Sequence, residues 1–144
     1  MKNKIFTLLA FLLITIGIQA QTAESKDEKN TFTLVDKEAK FPGGAEGWRR
    51  YLETNLNANL GNKYIKLKKK EKSAQQTVKL QFIVDKTGKV SNVEVVNKDE
   101  VHPKLAAESI RVLKEGPDWE PAEQNGKKVI YQAIQYITWQ VAEE

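Results

Sequence analysis

The chain has 144 residues with no cysteine, one histidine and a formal net charge of +4, and 29 % of its residues are charged. That length supports one modest core. The lack of cysteine rules out disulfides and cysteine lipidation, and the near balance of charge gives no general case for nucleic acid.

The first twenty residues set the compartment. Lys2 and Lys4 precede an almost wholly apolar run from Ile5 to Ile18, which Gln19-Ala20 closes. This is the pattern of a secretory signal peptide cut after Ala20, although Ile18 is bulkier than the residue usual at that point. The run is shorter than the roughly 20 residues that span a bilayer. Loss of residues 1–20 leaves 21 basic against 19 acidic side chains. The expected location is periplasmic, and the absence of cysteine does not argue against export.

Residues 21–40 are expected to form a polar tail ahead of a domain at 41–144. Thr31 to Val35 has the composition of a short strand, and Phe41-Pro42-Gly43-Gly44 is a breaker cluster. Gly44 then opens a helix predicted to run to about Asn59. Trp48, Leu52 and Leu56 recur along it at four-residue spacing, with Tyr51 widening the stripe, as expected of an amphipathic helix covering a sheet. Lys63 to Lys72 carries six lysines against one glutamate. It reads as a solvated loop, or as a contact for anionic envelope surfaces.

Thr77 to Val96 alternates apolar and polar residues on either side of Asp85-Lys86-Thr87-Gly88, which predicts an antiparallel hairpin. His102-Pro103 starts a second helix that Gly116-Pro117 ends, with Leu105, Ala106, Ser109, Ile110 and Leu113 on its buried stripe. Asn125-Gly126 marks another tight turn. Val129 to Val141 reads as a final strand with Tyr131, Ala133, Ile137, Trp139 and Val141 on one face. Gln135 interrupts the pattern and marks an expected bulge. Coming last, this strand is expected at a sheet edge. The predicted fold is α+β: a three-stranded antiparallel sheet made of the hairpin and the final strand, with a helix between them and an amphipathic helix before.

Chemistry is sparse. The single histidine, His102, stands beside a proline at a helix start, where capping is the expected role. Asp99-Glu100 and Glu143-Glu144 are adjacent pairs rather than opposed carboxylates, and Gly43, Gly44 and Gly61 form no phosphate-binding loop. The chain reads as a non-enzyme without metal or cofactor. Among aromatic anchors, Trp48 and Trp119 read as core. Trp139 is left open between core and an exposed contact.

Five segments in order carry a family resemblance: FPGG at 41–44, WRRYLETNLN at 48–57, QFIVDKTGKVSNV at 81–93, RVLKEGPDWEPAEQNGKKV at 111–129 and QYITW at 135–139. Together they resemble the TonB carboxy-terminal domain as it occurs in exported proteins of Bacteroidetes-type bacteria. The resemblance implies binding of an extended segment of an outer-membrane receptor by strand addition to the last strand. Tyr131, Gln132, Ile134, Gln135, Tyr136 and Trp139 are the implied contact residues. The chain departs from the family in its lysine run, which replaces a Pro- and Gly-containing passage. It departs also in its expected signal peptide and brief tail, which stand where energy-transducing relatives have an anchor and a long spacer. The alternative expectation is an envelope interaction, oligomerisation or inhibitor-like module outside energy transduction, with a homodimer formed by edge-strand exchange among its forms.

Overall fold

In the computed structural model, residues 30–143 are described. The expected signal peptide and residues 21–29 lie outside them. The element order is α1 (Gly44–Asn55), α2 (Asn59–Tyr64), β1 (Ser73–Val84), β2 (Val90–Val95), α3 (Pro103–Lys114), β3 (Glu123–Gln124), β4 (Lys127–Lys128) and β5 (Tyr131–Ala142), with one 3-10 turn at Lys98–Glu100. The main sheet is antiparallel in the order β2-β1-β5, and β3-β4 is a separate two-residue ribbon. This is the predicted α+β architecture.

β1 and β5 form the backbone of the molecule. They pair over twelve residues in one unbroken register, from Ser73 opposite Ala142 to Val84 opposite Tyr131. Alternation along both strands puts Val78, Leu80, Phe82 and Val84, and Ala133, Ile137, Trp139 and Val141, on one buried face. α3 lies across β1 and β2, and α2 lies against β5. From α3, Leu105, Ser109, Val112 and Leu113 enter the core. His102 caps this helix by accepting the Lys104 N–H at 3.2 Å, and its ring stacks on Tyr64 at 4.2 Å.

Gly88 is required by a close approach. Its φ is +94°, and a β-carbon there would lie 2.0 Å from the carbonyl oxygen of Trp119. The Trp119 N–H donates to the Gly88 carbonyl at 2.8 Å, which fastens the hairpin turn to the segment after α3. Asp85 closes the same turn, accepting from the Thr87 N–H at 2.7 Å, the Thr87 hydroxyl at 2.6 Å and the Lys89 N–H at 3.0 Å. Burial opposes its charge, but these hydrogen bonds outweigh it and hold its carboxyl below the usual range. At the FPGG corner, a β-carbon on Gly47 would lie 2.0 Å from the Pro42 carbonyl oxygen, so the chain folds tightly back on α1.

Several sequence expectations are corrected. α1 ends at Asn55, short of Asn59, because α3 captures the chain there. The Arg111 guanidinium donates to the Asn55 carbonyl at 2.9 Å, and Glu108 accepts the Asn57 N–H at 2.9 Å. α2 then occupies residues expected as linker and as the start of the lysine loop. β1 begins at Ser73, ahead of Thr77, because β5 is long enough to pair with the polar SAQQ stretch. Gln135 makes no bulge, since the β1–β5 register is continuous. The irregularity lies between β1 and β2, where Phe82 alone stands opposite Asn92 and Val93, and Asn92 has φ +49°. β5 starts at Tyr131 and not at Val129.

α1 is not the main cover of the hairpin. It joins the core through rings, with Phe41–Trp48 centroids at 5.1 Å, Trp48–Trp119 at 6.0 Å and Trp119–Phe82 at 5.0 Å. Nor is the stretch before Phe41 simply a tail. Lys37 and Lys40 bond to the backbone of Glu123 and Glu120, Ala39 is buried, and Phe32 makes a single parallel bridge to Tyr131 in place of the expected short strand.

Gly88→Ala is expected to destabilise the fold by at least about 2 kcal/mol, because the added methyl strikes backbone and the φ is strained. Urea unfolding followed by tryptophan fluorescence measures the loss. Asp85→Asn should lower stability at neutral pH. A carboxyl held low contributes above its unfolded value and loses that contribution as pH falls through the folded one. The gap between Asp85→Asn and the parent chain should therefore close in acid.

Candidate functional site

β5 has one side paired with β1 and the other open for most of its length. The open side can be read from the Phe32 bridge, where Phe32 N–H donates to the Ile130 carbonyl at 2.9 Å and Gln132 N–H donates to the Phe32 carbonyl at 2.9 Å. Even-numbered residues of β5 therefore direct their backbone groups away from β1, and odd-numbered residues bond to it. Beyond Gln132 the outward residues are Ile134, Tyr136, Thr138 and Gln140. Among the described residues no strand pairs with them. The Phe32 bridge closes one end of this edge. Near the other end, Glu143 N–H donates to the Lys72 carbonyl at 2.9 Å and fixes the start of β1.

Side chains of the outward residues stand on the sheet face opposite the helices. Ile134 is 46 % exposed and Tyr136 54 %. The Lys79 ammonium lies 5.8 Å from the Tyr136 ring centroid, and the hydroxyls of Thr77 and Thr138 share a hydrogen bond at 3.0 Å. Beside them a 660 Å³ depression is lined by Thr77, Lys79, Val96, Asn97, Glu100 and Tyr136 among others. On its far wall the Asn97 side chain accepts the Lys79 N–H at 2.9 Å and donates to the Thr77 carbonyl at 2.9 Å. That amide occupies the side of β1 where β2 has ended, so this backbone is already satisfied.

The six residues singled out from sequence divide by position. Ile134 and Tyr136 are exposed and edge-directed. Gln132 is half-buried, and its N–H is taken by Phe32. Gln135 is half-buried on the helix side, with its amide nitrogen 3.4 Å from the outward carbonyl of Tyr136. Tyr131 and Trp139 are core side chains. Burial, reinforced by Glu38, pushes the Tyr131 phenol up. Trp139 is 3 % exposed and donates to the Ser109 hydroxyl at 3.2 Å. Its open assignment therefore resolves to core. Trp48 and Trp119 are buried as expected. Thr138, the last residue of the pairing surface that the resemblance implies (Val129 to Thr138), and Gln140, beyond it, belong to the open edge although neither side chain was singled out. The alternation that marked Ile137, Trp139 and Val141 as inward carried the signal for them.

Among the described residues no three His, Asp or Glu side chains gather as a metal set. The arrangement offers backbone donors and acceptors at strand spacing with a mixed apolar and polar rim.

The family model described as the Gram-negative bacterial TonB protein C-terminal matches residues 68–141, from the lysine loop through nearly all of β5. No curated protein and no solved structure matches the chain significantly.

Removing a core partner and removing an edge side chain should have separable effects. Ser109→Ala leaves the buried Trp139 N–H without its acceptor and is expected to cost about 1–3 kcal/mol in denaturant unfolding. Tyr136→Ala, on the exposed face, should stay within about 0.5 kcal/mol of the parent chain.

Proposed function

The chain belongs to the TonB carboxy-terminal family, and from that premise we propose that it is a periplasmic module binding an extended segment of an outer-membrane receptor by strand addition along β5. The family is one of non-enzymatic protein-interaction domains associated with the cell envelope. One observation carries the finer reading: among the described residues the side of β5 from Ile134 to Gln140 has no strand partner, and its outward residues include no lysine, proline or acidic side chain of the kinds that blunt an edge.

An incoming strand fits this edge in a defined way. Its backbone pairs with the outward N–H and C=O groups of Ile134, Tyr136, Thr138 and Gln140. Alternate side chains of the strand then lie beside the exposed Ile134 and Tyr136, which supply selectivity. The Gln135 amide withdraws from the Tyr136 carbonyl as the new donor arrives. The Phe32 bridge limits how far the strand can run toward Tyr131. Tyr131 and Trp139 contribute by holding β5 flat against the core, without touching the ligand.

A second reading uses the same edge for a second copy of the chain, giving a homodimer by antiparallel pairing of two β5 strands. The bare edge favours it as directly as it favours a receptor segment. Concentration-dependent sedimentation separates the two.

Proline at position 134 tests strand addition, because Ile134 directs its N–H away from β1. Ile134→Pro removes an outward donor and leaves the β1–β5 ladder in place. The immobilised parent protein should capture β-barrel receptors from a solubilised outer-membrane fraction, identified by mass spectrometry. Ile134→Pro should reduce that capture at least about tenfold while keeping a native circular dichroism spectrum. Gln135→Ala should change it only modestly. Undiminished capture by a folded Ile134→Pro protein would falsify the reading.

A further inference from the structure

We propose that the lysine loop between α2 and β1 is a docking surface for an anionic lipid bilayer. It contains Lys66, Lys68, Lys69, Lys70 and Lys72, with Lys63 just before it in the last turn of α2, and all six are exposed. Among the described residues none of these six ammonium groups has a carboxylate partner. Lys37, Lys40, Arg49 and Arg111 each pair with a glutamate, and what sets the lysine run apart is its density, six lysines within the ten residues from Lys63 to Lys72. The one acidic residue in the run, Glu71, is turned inward on the loop and accepts the Lys68 backbone N–H at 3.0 Å. It satisfies a backbone donor and, among the described residues, forms no ion pair with the loop lysines, so the run keeps a net positive charge.

The loop is built and not slack. Ile65 is buried and anchors its start. The Glu71 N–H donates to the Lys68 carbonyl at 2.9 Å and closes a turn, with Lys70 at φ +77°. Lys69 and Lys70 therefore stand at the tip of a defined turn. Within the same run Leu67 is 37 % exposed. A cluster of lysines around an exposed leucine matches the two layers of an anionic bilayer surface, with headgroup charge outside and acyl chains beneath. Nucleic acid is the less suited partner. Tyr64 is the run's one aromatic, and its ring is already stacked on His102.

This inference stands apart from strand addition, since no loop lysine belongs to the β5 edge. The position is nonetheless consequential. The loop leads into Ser73, which pairs with Ala142 at the far end of β5 from the Phe32 bridge. A bilayer held there would lie at the open end of the receptor-binding edge.

The test uses the protein as cells export it, with vesicles of phosphatidylglycerol or phosphatidylcholine and, in parallel, duplex DNA. Cosedimentation with phosphatidylglycerol should be strong and should fall steeply as salt is raised. Combined Lys66→Gln, Lys68→Gln and Lys69→Gln should weaken it on the order of 100-fold, with an unchanged circular dichroism spectrum. Leu67→Trp adds a reporter where the three native tryptophans are buried, and its emission should shift to the blue on phosphatidylglycerol. Equal binding to phosphatidylcholine, indifference to the lysine replacements, absence of the blue shift, or DNA binding as tight as vesicle binding would each overturn the proposal. Ile134→Pro should bind vesicles normally, so a failure of strand addition and a failure of this proposal remain distinguishable.

Discussion

The packing of Trp119 holds together parts of the chain that local structure alone would leave separate. Its backbone N–H grips the turn of the hairpin at Gly88, and its indole lies between Phe82 of β1, Phe41 of the breaker segment and Trp48 of α1. Three regions meet on its side chain and a fourth on its backbone. α1 is tied also to α3, where the Tyr51 hydroxyl donates to the Val112 carbonyl at 2.9 Å. The two required glycines, Gly88 and Gly47, sit where backbone from a neighbouring segment must come closer than a β-carbon permits. This aromatic knot fixes the hairpin, the hairpin fixes β1, and β1 fixes the register of β5. The open edge is thus defined by contacts on the opposite side of the molecule.

Much of this was legible in the amino-acid order, and the reasons are specific. The hairpin showed itself because Val78, Leu80, Phe82 and Val84 alternate strictly and Gly88 follows a turn-forming Asp85. α3 was framed by Pro103 at its start and Gly116-Pro117 after its end. Less visible was whatever depended on a distant partner. The end of α1 is set by Arg111 and Glu108, more than fifty residues away in the chain. The polar first turns of β1 become strand only because β5 lies beside them. Gln135 looked like a bulge because a polar residue fell on the inward face. In the structure it stays in register, half-buried, with its amide turned toward the edge.

The side chains singled out on the last strand divide in the structure between the open edge and the core. Apolar aromatic residues attract attention in a sequence, and Tyr131 and Trp139 drew it although both face the core. The groups on which the proposed strand addition would rest belong to the backbone, and no side-chain pattern names them. Their direction followed only once the Phe32 bridge fixed which residues of β5 look outward. Parity along the strand then decides everything: odd positions hold the fold and even positions are available to a partner.

The irregularity opposite Phe82 has a consequence for stoichiometry. The two outer margins of the sheet are unequal. β5 offers a straight margin in continuous register, whereas β2 has six residues and is kinked at Asn92, where two residues oppose one. A kinked, short margin is a poor template for further strands. Growth by repeated head-to-tail stacking needs two complementary margins on every subunit, and among the described residues the β2 margin is short and kinked. Adding a single strand along β5, whether from a receptor or from a second copy, would use up the straight margin and leave the kinked one. Among the described residues the sheet therefore offers two unequal templates, of which β5 is the straighter and longer.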